Sequence, residues 1–251
     1  MIRVLVFNEF RHENVKPEVK GIYPKGIHGC IADFLSCDDI SVKTVTLCGE
    51  DGEVKDPTCG ITKELLDETD VIIWWAHVRH QYVSDEVAAL VRDAVHEGMG
   101  AIFLHSGHHS KPFKLLMGTP CNLCWRESGD SERVWVIDPT HPITKGIDRV
   151  IFFPHEETYG EPFSIPEPNQ LLMIGSYSGG EAFRSGCLFK RGNGKIFYFQ
   201  PGHETFPIFH MPEVQTVIKN AVRYLAPAYR EPQTCPHVRT LGDPEGYVIK
   251  K

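Results

Sequence analysis

Short apolar runs alternating with amphipathic segments constrain the first hundred residues more than any other feature. Ile2–Phe7 is a β-branched run, Ser41–Cys48 alternates, and Val71–Ala76 (VIIWWA) and Ala101–Leu104 are continuously apolar. Between them, Gly26–Cys37 and Ile61–Glu68 carry helical spacing. So does the stretch after Ser84, with Val87, Leu90, Val91, Ala94 and Val95 on one stripe. Ser84 is an N-cap, Asp85 and Glu86 suit the positive end of the helix dipole, and Gly98 is placed to end it. Strands this apolar are buried on both faces, and strands alternating with helices form a parallel, doubly wound sheet.

The second half reads differently. Val134–Ile137, Val150–Phe153 and Leu171–Ile174 are strands joined by Pro-rich loops. Gly186–Lys190 and Lys195–Gln200 flank Gly192-Asn193-Gly194, a hairpin signal. Pro212–Leu225 is a second strong amphipathic helix, and residues 227–251 form a polar tail expected to wrap the surface. With no internal repeat or low-complexity linker, residues 1–251 read as a single domain with an embellished C-terminal half.

Charge and cysteine usage narrow the partners. The formal net charge is −7, and no Lys/Arg run appears, so a broad grip on nucleic acid is not expected. The longest apolar stretch falls far short of the ~20 residues that span a bilayer, which predicts no membrane partner. The N-terminus lacks the pattern of a secretory signal and reads as a strand. Eight scattered cysteines fit reduced thiols in the cytoplasm better than a disulfide framework. Cys121 and Cys124 form a single CxxC without a second pair, so structural thiols are expected there rather than a zinc ribbon. No glycine-rich turn opens a helix as a phosphate loop would, so no nucleotide cofactor is expected.

In doubly wound sheets ligands bind beyond the carboxyl ends of the strands. Those positions here hold Asn8, Glu9, Arg11 and His12; His77, Arg79 and His80; His105, Ser106, Gly107, His108 and His109; and Gly202, His203 and Glu204. The loop PHEETYGEPF adds His155, Glu156, Glu157 and Tyr159. Eight of the thirteen histidines fall in these segments, a concentration that singles them out. Histidine serves as a general acid/base near neutrality and as a metal ligand. His96, His141, His210 and His237 lack such settings and read as ordinary surface or structural residues.

GMGAIFLHSGHHS, then His141-Pro142-Ile143, EETYG, and GKIFYFQPGHE before the last helix together resemble the trehalose-utilisation (ThuA-like) family, from Ile2 to about Leu225. The resemblance implies a flavodoxin-like three-layer α/β/α sandwich with a mostly parallel sheet, similar to class I glutamine amidotransferases. Those enzymes carry a nucleophilic cysteine where this chain has His105, and their late-strand His-x-Glu resembles His203-Glu204 without the spacer. Glutamine hydrolysis is therefore not expected. The resemblance implies an enzyme of carbohydrate utilisation acting on a keto derivative of a trehalose-like disaccharide, and a homo-oligomer is the usual state of a cytoplasmic enzyme of this type.

On that reading His105, His203, Glu157 and Tyr159 are the catalytic candidates, and Ser106, His108, Glu204 and Arg79 the substrate-binding ones. His80, His105 and His203 are the candidate ligands of a divalent metal, zinc first, with His77 or Glu157 able to replace one of them. Trp74, Trp75 and Trp125 are candidate platforms for a sugar ring. Two other functions compete: a non-catalytic module that binds a small ligand or partner, and a hydrolase of amides or esters. Metal content and turnover separate them.

Overall fold

The computed structural model describes residues 1–235; the end of the polar tail, including His237, lies outside the described residues. The elements, in chain order, are β1 (Ile2–Asn8), α1 (His12–Val15), α2 (Pro17–Ile22), α3 (Gly26–Leu35), β2 (Ile40–Thr46), α4 (Lys63–Asp67) and β3 (Val71–Trp75). There follow α5 (Asp85–Glu97), β4 (Gly100–Leu104), α6 (Lys111–Met117), β5 (Cys124–Arg126), β6 (Glu132–Val136) and β7 (Val150–Phe153). The last are β8 (Thr158–Gly160), β9 (Gln170–Tyr177), β10 (Ala182–Arg191), β11 (Gly194–Phe199) and α7 (Pro212–Leu225).

Nine strands form one sheet in the order β2-β1-β3-β4-β11-β10-β9-β6-β7. The half from β2 to β11 is parallel throughout. From β11 outward the neighbours alternate in direction, and only β10 and β6 oppose the rest. The switch has a local cause, because the tight turn at Gly192-Asn193 can join only antiparallel strands. The expected α/β sandwich with a mostly parallel sheet is the fold observed.

Alternation within the strands builds the three layers. Val4, Val6, Ile73, Trp75, Ile102, Leu104, Phe197 and Phe199 face α3 and the stripe Val214, Val217, Ile218, Ala221, Val222 and Leu225 of α7. Leu5, Phe7, Ile72, Trp74, Ala101, Phe103, Ile196 and Tyr198 face Val87, Val91 and Val95 of α5 and Phe113 of α6. Both faces are covered, so β3 and β4 carry no polar side chain at any position. The Ser84 side chain accepts the Val87 N–H, and α5 ends at Gly98, both as expected.

Three features escaped the pattern. The polar segment after β1, expected as a loop, contains α1 and α2. The turn after β4 leads into α6, capped by Ser110. The residues around Trp125 and Tyr159 form a small antiparallel ribbon, β5 with β8, in which these two residues are direct partners. The ribbon matters because it walls the site.

Candidate active site

The carboxyl ends of β1, β3, β4 and β11 lie side by side in the sheet and deliver His12, His77, His105, His203 and Glu204 to one place. Glu157 enters from the loop before β8. His77, His105, His203 and Glu157 each offer a donor atom within 4.8 Å of the others. His105 Nε2 is 2.9 Å and His77 Nε2 is 3.9 Å from Glu157 Oε2.

The local backbone explains how the rings converge. His105 leaves β4 with φ of 50°, in the left-handed region that disfavours a side chain. Its carbonyl accepts from the Tyr198 hydroxyl at 3.1 Å, which fixes the turn. Opposite it, Gly202 has φ of 151°. A Cβ there would lie 3.2 Å from His105 Cβ and 2.9 Å from the Phe209 ring, so only glycine lets the two strand ends meet.

Two buried carboxylates hold the loops that carry these residues. Glu9 Oε2, at the end of β1, accepts the backbone N–H groups of His77, Val78 and Arg79 at 2.9, 2.9 and 2.7 Å. Glu156 Oε1 accepts from Glu157 N at 3.0 Å and His203 N at 3.1 Å, and its Oε2 accepts from Gly202 N at 3.2 Å. Each carboxylate organises backbone donors of a loop bearing a candidate ligand. Burial raises the Glu156 carboxyl to about 7 against the opposing pull of His105 and these N–H donors.

Each of the three converging rings has its second nitrogen beside an acceptor. His77 Nδ1 faces Glu204 Oε2 at 2.9 Å, His105 Nδ1 faces the Gln200 carbonyl at 3.0 Å, and His203 Nδ1 faces Thr205 Oγ1 at 2.7 Å. Nδ1 of His77 and of His105 faces a pure acceptor, so with the proton there the Nε2 lone pair is free; at His203 the Thr205 hydroxyl can accept from Nδ1, although the Thr205 backbone N–H also points at it at 3.4 Å. His203 Nε2 and Glu157 Oε2 are buried without a hydrogen-bond partner in acceptable geometry. Buried polar atoms left unpaired cost roughly 1–3 kcal/mol each, so donors converging on one point fit a cation between them. Histidine nitrogens with a carboxylate oxygen are the donor set of zinc and similar divalent metals, and the outer acceptors are the partners ligating histidines have. The residues fit the group.

A second cluster, His12 with His77 and Glu204, has another explanation. Glu204 Oε1 pairs with His12 Nδ1 at 2.8 Å and Lys16 Nζ at 3.0 Å, while Oε2 faces His77. These donors use the carboxylate, and they hold Glu204 far below the usual carboxylate range despite its burial.

A cleft of about 360 Å³ opens above the cluster, lined by His77 and Glu157 together with Ser106, His108, Tyr159 and Trp125 among others. The Tyr159 hydroxyl is 3.0 Å from Ser106 Oγ and 3.4 Å from His105 Nε2, and its ring stacks on His105. Burial first, then the nearby Glu157 charge, raises the Tyr159 phenol well above its ordinary value, so it is a neutral donor. His108 Nδ1 donates to the Cys121 carbonyl at 2.7 Å; its burial lowers it to about 3 and keeps the ring neutral. His203 is likewise lowered to about 3, by burial and by the neighbouring His105 and His77. His105 moves the other way: burial would lower it, but the Glu157 carboxylate 2.9 Å away outweighs burial and raises it.

Several expected site residues lie elsewhere. His80 does not join His105 and His203: the short turn after β3 carries it away, and its ring packs 5.6 Å from His109 on the cleft wall. His77, three residues earlier, takes its place. Arg79 is turned out toward Glu53, 3.7 Å away, and Tyr82. Glu204, expected to bind substrate, is fully buried behind His77. Trp74 stacks on Phe7 at 3.8 Å and Trp75 donates its indole N–H to Gly202 O, so both are core residues. Only Trp125, 64% exposed, is free to act as a platform. Tyr159, Ser106 and His108 do line the cleft. Cys121 is buried, Cys124 is exposed, and neither is in a disulfide.

Glu9, Glu156 and His12 were present among the strand-end residues but were given no role. Nothing in their spacing distinguishes a carboxylate that holds a loop from one that meets substrate.

The ThuA family model, described as trehalose utilisation, matches residues 3–225. The chain belongs to the ThuA family. No curated protein matches it. Among solved structures, a ThuA-like protein from Bacteroides uniformis is 16% identical with a TM-score of 0.61, over 89% of this chain and 90% of that one. A cytoplasmic protein from Salmonella typhimurium is 14% identical with a TM-score of 0.58, over 90% and 100%. A glutamine amidotransferase from Thermotoga maritima is 9% identical with a TM-score of 0.51, over 89% and 97%. These similarities show the shared fold. In this ThuA-family chain, the turn after β4 presents His105 rather than a thiol. No helix among the described residues is long and apolar enough to cross a membrane.

Proposed function

We propose that this ThuA-family protein is a metal-dependent enzyme acting on a keto derivative of a trehalose-like disaccharide, by proton transfer next to the sugar carbonyl. The observation that carries the reading is the convergence of His77, His105, His203 and Glu157, with each ring's Nδ1 beside an acceptor. These four residues would hold the ion. When bound, a divalent metal supplies Lewis acidity toward a carbonyl oxygen.

The chain's own groups supply the proton chemistry. Glu157 faces the cluster through Oε2 and also lines the cleft, so its second carboxylate oxygen would be the base for a proton α to the carbonyl. The Tyr159 phenol, aligned by Ser106, donates to the substrate oxygen. Trp125 covers the outer sugar ring, and His108 lines the cleft wall as an uncharged polar group. The wider setting of this reading is a homo-oligomeric cytoplasmic enzyme; the family match to trehalose utilisation supports its carbohydrate part.

The 2.9 Å contact between His105 and Glu157 favours a second reading, in which the two form a metal-free acid–base pair. Both readings predict proton exchange. The test incubates the chain with keto-trehalose in D₂O and follows loss of the α-proton signal by NMR. Exchange abolished both by Glu157→Gln and by a chelator supports the proposal, and exchange that survives the chelator but not Glu157→Gln favours the metal-free pair. Absence of exchange and of any turnover leaves a non-catalytic binding module instead.

A further inference from the structure

His80 is 8% exposed, and neither of its buried ring nitrogens has a hydrogen bond of acceptable geometry, although the His77 backbone lies close to the ring. Its ring nevertheless forms part of the wall of the cleft that reaches down to His77 and Glu157. Native proteins seldom leave both nitrogens of a buried imidazole unpaired, because each costs roughly 1–3 kcal/mol. A ring in that state points to a partner that arrives from outside the chain.

The surroundings identify the chemistry of that partner. His80 faces His109 across 5.6 Å, and Asn122 lines the cleft beside them. His80, His109 and Asn122 themselves carry no fixed charge; Glu127 lines the same cleft, but among the described residues neither His80 nor His109 belongs to a converging set of metal donors, so an uncharged polar ligand is favoured. An imidazole offers one donor and one acceptor, which is what a hydroxyl group complements. The side-chain torsion that turns the ring is broad, so an edge can swing toward a ligand without leaving a rotamer well. On the opposite side, Trp125 provides an apolar face of the kind a sugar ring covers.

We infer that His80, with His109 and Asn122 beside it, is a specificity-determining residue that hydrogen-bonds a hydroxyl of the sugar unit lying away from the metal cluster. This rests on the reading of the cleft as a sugar site. It gives His80 a role separate from the ion: His80 reads the substrate, whereas His77, His105 and His203 hold the metal.

The experiment titrates the full chain, zinc-loaded, with trehalose, methyl α-glucoside, keto-trehalose and glycerol. Calorimetry reports affinity, and NMR of ¹⁵N-labelled histidine rings reports the His80 nitrogens. Binding of a sugar should shift the His80 ring signals. His80→Phe should weaken that binding at least tenfold, His80→Asn should restore part of it, and zinc content should match the parent in both variants. Sugar binding undiminished in His80→Phe, or binding that leaves the His80 signals in place, overturns the inference and spares the sugar reading. Failure of every sugar to bind a zinc-loaded chain overturns both. Sugar binding through His80 in a chain that takes up no zinc supports this inference and sinks only the metal centre.

Discussion

His77 and Glu204 meet at 2.9 Å, Nδ1 to Oε2, in a part of the molecule where Glu204 has no exposure. The contact turns the other nitrogen of His77 toward Glu157 and the rings of His105 and His203. His12 and Lys16 hold the carboxylate from behind. Glu204 therefore acts through His77 and does not touch the cleft.

Glu204→Gln should weaken zinc affinity about 10- to 100-fold, the usual effect of losing an outer partner of a ligating histidine. Competition with a chromophoric chelator measures it. Unchanged affinity would make Glu204 part of a structural ion network only.

The strained turn gives a prediction that separates backbone from side chain. Both His105→Ala and His105→Gly remove the ring, but only glycine relieves the left-handed φ of 50°. The glycine variant should be about 1 kcal/mol more stable than the alanine variant in urea denaturation. Neither should bind zinc with the parent's affinity. Equal stability of the two would mean that the turn carries no strain.

Trp125 is exposed on β5 opposite Tyr159. Trp125→Ala should leave the thermal midpoint nearly unchanged and weaken sugar binding by about 1 kcal/mol, the scale of an aromatic contact. A large loss of stability would show that the indole supports the ribbon rather than the ligand.

Glu132 sets a pH dependence away from the metal cluster. It is fully buried, and burial, reinforced by Glu156, raises its carboxyl well above the ordinary value near 4.5. The folded protein thus binds this proton more tightly than the unfolded chain. The resulting stabilisation is fully present below about pH 4.5 and is lost as pH rises toward the folded value. Glu132→Gln removes the titration, so its denaturation midpoint should gain on the parent's between pH 5 and pH 8. A constant difference across that range would contradict the assignment.

The sequence made the parallel half of the sheet legible because its strands are buried on both faces and read as continuous apolar runs. The histidine-rich strand ends were legible for a related reason: polar residues directly after VIIWW or AIFL have nowhere to go but the carboxyl edge. What it could not separate was His77 from His80. Both follow β3, and the choice depends on three N–H bonds to Glu9, a residue about 70 positions away. Glu204 was misplaced for the same kind of reason, since its partners His12 and Lys16 lie in and just after a short helix that the polar sequence disguised as a loop.

The central claim is that three histidines from three strand ends, with Glu157, hold one metal ion. The direct test is elemental analysis of untagged chain after equilibration with zinc at neutral pH, for the parent and for the His77, His105, His203 and His80 alanine variants. About one ion per parent chain is expected, with its loss in the first three variants and its retention in His80→Ala. A folded parent that holds no zinc, or equal zinc in all five proteins, would contradict it.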